Sequence, residues 1–225
     1  MQRPPSLAEK TRYARALLRE VLERHSADRV AVAFTGGKDS TLALFLWRQT
    51  LLDASANLPT LALNLDTGVK FPEVLDFRDQ LVRTWRVQLH TARPQGARTP
   101  VAVDKAACCK ERKITPLLAA IAELGLNMLI TGIRADEHSS RAALPVLEQC
   151  ASHERLHPLL PFSEMDVWAA IQELALPWSS LYEQGYRSLG CVPCTTLPRE
   201  GGDERSGRAP QKEALMGDLR ALGYF

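Results

Sequence analysis

Apolar residues along this chain follow two periods that take turns. Ala14, Leu17, Leu18, Val21 and Leu22 recur at helical spacing with Arg and Glu on the other face, and Ser6 stands where it would cap the helix they predict. Arg29-Val30-Ala31-Val32-Ala33-Phe34 is a short unbroken apolar run, which predicts a buried strand, and Lys38 to Arg48 reads as the helix that follows it. The pattern then repeats. Strands are predicted at Thr60–Leu65, Val87–His90 and Met128–Thr131, with helices after Pro72 and from about Lys110 to Leu124 between them. His157-Pro158-Leu159-Leu160 reads as a last edge strand, and Ser163-Glu164-Met165-Asp166 as a capping box opening a helix to Leu174.

This alternation predicts an α/β fold: a parallel sheet with helices on both faces, whose ligands sit at the carboxyl ends of the strands. At 225 residues and 45% hydrophobic content the chain can bury a full core. The expected organisation is one domain over residues 1–208 with a helical tail at 209–225. The most apolar stretch, Leu117 to Ile130, is interrupted by Glu123 and Asn127 and is too short to span a bilayer. Met1-Gln2-Arg3-Pro4-Pro5 carries no apolar targeting segment, so a cytoplasmic location is expected. Net charge is only +2, but 21 of the 28 basic residues are arginine, the side chain that grips phosphate and sulfate with paired hydrogen bonds. The absence of a basic run and of an aromatic stacking pattern argues against a nucleic-acid binder.

The candidate chemistry lies at strand ends. Thr35-Gly36-Gly37-Lys38-Asp39-Ser40 falls between the first strand and its helix, where two glycines permit a tight turn, the helix N-terminus favours an anion and Ser40 adds a hydroxyl donor. Its spacing differs from that of the P-loop NTPases. After the second strand, Asp66-Thr67-Gly68 faces the same crevice, with Asp66 either bonding a ribose hydroxyl or adenine amine, holding a Mg²⁺ or capping its own loop. Arg134 and Arg141 follow the fourth strand and point two guanidinium groups toward the same rim.

Four of the five cysteines come in two tight pairs, Cys108-Cys109 and Cys191-Val-Pro-Cys194. Adjacent side chains diverge and suit one tetrahedral zinc poorly, but they can reach different irons of one Fe-S cube, so a [4Fe-4S] cluster is favoured over disulfides in a reducing compartment. Lys113 lies one helical turn beyond Cys109, on the cluster side, where a cation would offset the charge of four thiolates. Cys150 is a single spare thiol and reads as a packed small hydrophobe.

Taken together, Thr35–Ser40, Asp66-Thr67-Gly68 with Phe71-Pro72-Glu73, Cys108-Cys109 with Arg112-Lys113, Thr131-Gly132-x-Arg134 and the segment from Gly185 to Thr195 resemble the sulfonucleotide reductases. These are the adenylyl-sulfate and phosphoadenylyl-sulfate reductases, and the likeness runs from about Arg29 to Arg208. The cysteine segments match the cluster-containing branch, which is associated with adenylyl-sulfate (APS). The resemblance implies a PP-loop, HUP-like nucleotide fold, a [4Fe-4S] cluster on Cys108, Cys109, Cys191 and Cys194, and Arg134, Arg141 and Arg208 around the phosphosulfate. It further implies an oxidoreductase of sulfate assimilation that yields sulfite and AMP with thioredoxin or another thiol donor, and it leaves room for a homo-oligomer.

One departure from the family pattern stands out. Its members carry a nucleophilic cysteine in a Glu-Cys-Gly-x-His segment near the C-terminus, and here Gly207 to Phe225 contains no cysteine. Two other readings therefore remain: a PP-loop ATP pyrophosphatase that adenylates a substrate for sulfur transfer, and a nucleotide-binding relative without turnover.

Overall fold

The computed structural model describes residues 5–54 and 58–224. Its centre is a six-stranded sheet built from β1 (Val30–Ala33), β2 (Leu61–Leu65), β3 (Gln88–Ala92), β4 (Met128–Ile130), β5 (Leu147–Gln149) and β6 (Glu154–Leu156), in the order β3-β2-β1-β4-β6-β5. All pairings are parallel except that of β5 with β6. The helices are α1 (Leu7–Arg24), α2 (Lys38–Asp53), α3 (Pro72–Trp85), α4 (Lys105–Cys109), α5 (Thr115–Glu123), α6 (Glu164–Glu173), α7 (Pro210–Ala214) and α8 (Met216–Ala221).

The side chains of β1 explain the layering. Val30, Val32 and Phe34 point into one core with Leu18 of α1, Leu44 of α2, Phe77 of α3 and Ile171 of α6. Ala31 and Ala33 point the other way, against Leu117 and Ile121 of α5, and their small size lets that helix lie close to the strand. Helices thus cover both faces, as a parallel sheet requires. Ser6 makes a full capping box with Glu9, and Ser163 makes one with Asp166, which also receives Lys10 at 2.6 Å and so ties α6 to α1.

The structure redraws the edge predicted at His157–Leu160. The ladder there is β6, three residues earlier, and β5 pairs with it as the edge strand. Pro158 has no N–H for a ladder, and the segment turns, with Leu160 N–H on His157 O at 3.1 Å and Phe162 N–H on Leu159 O at 2.9 Å. Its apolar side chains are buried all the same, which is why they mimic a strand. The helix expected from Lys110 begins earlier, at Lys105, and widens into a π-helical turn over Lys110–Ile114 before α5. From β1 the chain moves to β2 and β3 on one side and then returns to place β4 on the other. That reversal opens a crevice beyond the carboxyl ends of β1 and β4.

Candidate functional site

The crevice holds a cavity of about 140 Å³. Thr35, Gly37, Lys38, Asp39 and Ser40 form one end of it, on the turn from β1 into α2. Gly36 has φ +83°, and a Cβ there would come within 2.8 Å of Val74 Cγ1, so the turn needs glycine for both conformation and space. The backbone of Gly132 closes on the same turn: a Cβ on it would lie 2.7 Å from Asp39 C and Ser40 N.

Several polar groups at this end are taken by one another. Lys38 N–H donates to Tyr182 Oη at 2.8 Å, Thr35 N–H to Ser40 Oγ at 3.2 Å and Gly37 N–H to Thr35 Oγ1 at 3.4 Å. Lys38 Nζ is buried between Glu204 and the carbonyl of Arg187, the latter at 3.0 Å. Arg134, with no exposed surface, bonds Glu204 and also Asp39, at 2.5 Å. Burial pushes the Glu204 carboxyl up against the pull of Lys38 and Arg134. Arg141 and Arg205 both pair with Glu137, and Arg205 also reaches Glu213 at 2.6 Å. Burial raises the Glu137 carboxyl, but those guanidinium groups outweigh it and bring it down to about 2.

The opposite end is different in charge. Lys113, Lys212 and Arg208 are buried there and Lys70 is half-buried, and none of them pairs with a carboxylate among the described residues. Burial, followed by the repulsion of Lys113, brings both Lys70 and Lys212 down to about 8. Tyr224 sits among these cations, its ring 5.4 Å from Lys113 Nζ and its hydroxyl 3.3 Å from Lys212 Nζ. Burial raises its phenol, but Lys113, Lys212 and Arg208 prevail and bring it to about 6.

Thr67 and Lys113 line this end and also a second, smaller cavity of about 20 Å³. Cys108, Cys109, Cys191 and Cys194 all line that second cavity, so the two distant pairs converge. Cys108 and Cys109 end α4, capped by Asp104; Cys191 is anchored through bridge pairing with Lys70, and its thiol is 3.3 Å from Thr67 Oγ1. Burial raises the Cys191 thiol, but Lys113, the Thr67 hydroxyl and Lys70 bring it to about 7. Among the described residues no group of three or more His, Cys, Asp or Glu side chains is arranged around a point that would hold a single ion.

The model of the phosphoadenosine phosphosulfate reductase domain matches residues 29–197, which span both the glycine turn and all four convergent cysteines. The chain belongs to the phosphoadenosine phosphosulfate (PAPS) reductase family. It is 32% identical to the adenosine 5′-phosphosulfate reductase of Allochromatium vinosum over 92% of this chain and 85% of that protein. The corresponding reductase of Neisseria meningitidis serogroup A is 33% identical over 90% and 86%. In three dimensions the chain resembles the PAPS reductase of Candida auris (TM-score 0.66, 21% identity, 87% of this chain and all of that one). It also resembles an FMN adenylyltransferase of Candida glabrata (TM-score 0.70, 17% identity, 89% and 68%). The fold is the PP-loop, HUP-like nucleotide fold shared by these proteins.

Within this PAPS reductase fold the predicted residues divide. Thr35, Gly37, Lys38, Asp39, Ser40, Thr67, Lys113, Arg141 and Arg208 line the crevice. Gly36, Asp66, Gly68 and Arg134 do not: Asp66 and Arg134 are buried, and Gly68 is exposed. Asp66 accepts from Gly68 N–H and Arg93 Nε, each at 3.0 Å, which is the loop-capping role. Cys150 lies in the turn between β5 and β6, away from both cavities. Sequence reasoning missed Lys70, Tyr182, Glu204, Arg205, Lys212 and Tyr224. Only Lys70, just past Asp66-Thr67-Gly68, and Glu204-Arg205, just before Arg208, had a local signal. Among the described residues no helix is long and apolar enough to cross a membrane.

Proposed function

We propose that the chain is an APS reductase of assimilatory sulfate reduction, releasing AMP and sulfite with thioredoxin or another thiol donor. The observation that carries this reading is a set of cations at one end of the crevice: Lys70 and Arg208 line the crevice, Lys212 lines the cavity of the four convergent thiols, and Lys113 lines both. They supply positive charge beside the sulfonyl oxygens and the phosphate oxygen of AMP, on which negative charge develops as the S–O bond breaks. Thr67, Lys113 and Arg208 are assigned to the phosphosulfate, and the tail at 209–225 joins the site through Lys212 and Tyr224.

The donor set suits a [4Fe-4S] cluster. Four thiols share one cavity, no carboxylate lines it among the described residues, and Lys113, Lys212 and Arg112 surround it to offset thiolate charge. When bound on Cys108, Cys109, Cys191 and Cys194, the cluster would supply a fixed anion coupled electrostatically to the cations that face the substrate.

With those four cysteines assigned to iron and Cys150 outside the crevice, residues 5–224 offer no thiol for the attack, and this reading assigns it to the donor. Its sulfur bonds the sulfur of APS, the S–O bond breaks, and AMP departs with the electron pair. A second thiol then attacks the resulting S-sulfonate, which releases sulfite and leaves the donor as a disulfide. Lys113 and Arg208 hold the sulfonyl oxygens, while Ala33, Leu65 and Ile133 offer the base an apolar wall.

The test is anaerobic turnover of APS by the iron-loaded chain, first with reduced thioredoxin and then with a small thiol, measuring AMP and sulfite. Both products are expected in equal amounts. Neither product with either donor would overturn the assignment.

A further inference from the structure

A glycine turn at a helix N-terminus is ordinarily an open anion site, because its amides and a nearby lysine have no other partner. In this chain the lysine and three of those amides do. Tyr182 Oη caps the first amide of α2, at Lys38, and Thr35 and Ser40 satisfy two more donors of the turn. Glu204 binds both cations beside the turn, Lys38 and Arg134, and Asp39 and Asp136 take the other donors of Arg134. Three carboxylates thus face these two cations, and this end of the crevice holds no unpaired positive charge before any ligand arrives. The cysteine end carries cations with no carboxylate partner among the described residues.

We propose that Glu204 and Tyr182 close the glycine turn to pyrophosphate, making them specificity-determining residues that confine bound anions to the cysteine end. The crevice then takes an adenylate with one short anionic extension, such as a sulfate, and refuses a triphosphate seated on the turn. A pyrophosphate entering there would have to displace the phenol of Tyr182 and separate Glu204 from two buried cations. This rests on the sulfonucleotide reading of the crevice, and it names what that crevice rejects.

The experiment titrates the full chain with inorganic pyrophosphate in excess sulfate, which occupies the cysteine end, and reads tryptophan emission. Trp168 is a local reporter, its ring 5.1 Å from that of Tyr182. The wild type should show no saturable change below about 1 mM pyrophosphate. Glu204→Gln, which frees Lys38 and Arg134, should saturate at least about tenfold lower, and Tyr182→Phe, which frees one amide, by a smaller factor. Glu204→Asp, which keeps the charge, should behave as the wild type.

Tyr182→Phe removes only a hydroxyl, so it carries the test should the unpaired cations of Glu204→Gln prevent folding. Saturation of the wild type at the concentration expected for Glu204→Gln, or no gain in either variant, would overturn the proposal. A parallel titration with AMP in sulfate-free buffer separates the two readings. If AMP binds and pyrophosphate treats all variants alike, only the role of Glu204 and Tyr182 falls; if AMP does not bind the wild type, the sulfonucleotide reading falls with it.

Discussion

The two ends of the crevice are built from the same kinds of side chain and reach opposite electrostatic states. At the glycine end, Lys38, Arg134, Arg141 and Arg205 are answered by Asp39, Asp136, Glu137, Glu204 and Glu213. At the cysteine end, Lys70, Lys113, Lys212 and Arg208 face thiols and the phenol of Tyr224. Counting basic residues would rank the two ends equal. Pairing decides which one attracts an anion, because a cation already held by a buried carboxylate has little attraction left for a ligand. The difference also separates two jobs. The paired end fastens the 185–208 segment onto the sheet, and the other end keeps cations free of carboxylates among the described residues.

The largest expected effect comes from removing a thiol at the positive end. Cys191→Ser should lower iron and acid-labile sulfide to background and abolish APS turnover, while Cys150→Ser leaves both unchanged; equal iron in the two variants would remove the cluster from that end. Next is Lys113→Met, which deletes the cation shared by both cavities. A loss of about 100-fold in kcat/KM for APS is expected, with AMP affinity changing far less. A matching loss in AMP affinity would mean that Lys113 merely binds nucleotide.

Gly132→Ala probes the paired end, since its Cβ would press within 2.7 Å of the backbone at Asp39 and Ser40. The overpacking should cost about 1–3 kcal/mol in urea unfolding and loosen AMP, leaving iron content intact. The smallest effect is a pH dependence beneath the same end. Thr131 Oγ1 is 2.6 Å from His157 Nδ1, and burial lowers the histidines at 157 and 153 to about 4, with Arg155 adding to the shift at both and Glu148 opposing it. Both are depressed below the unfolded value of about 6.5, so the unfolded chain binds protons that the folded one refuses. Stability is therefore full above about pH 6.5 and falls as the pH drops toward 4. His157→Asn, whose amide oxygen can still accept from Thr131, should flatten that slope measurably in melts taken across the window.

Much of the frame was legible in the residues. The alternation from Ser6 to Thr131 located the sheet and its crevice, because apolar periodicity is a local property of each element. His157–Leu160 misled for a physical reason: burial makes a turn as apolar as a strand, and only Pro158 hinted that no ladder could form. The cysteine pairs announced a shared site through their spacing alone. Arg134 and Asp66 were legible as strand-end residues but not as the internal partners they are, since nothing near either one names its counterpart.

The chain by itself determined which segments become strands and helices, where the glycine turn falls and which cysteines act as pairs, since each follows from residues a few positions apart. The tertiary structure alone decided which cations keep their charge available. Glu204 meets Lys38 across 166 positions, Tyr182 caps an amide 144 positions away, and Lys212 and Tyr224 come from the tail to stand beside Lys113. Electrostatic character depends on distance and burial, and the fold sets both only after every element has been placed.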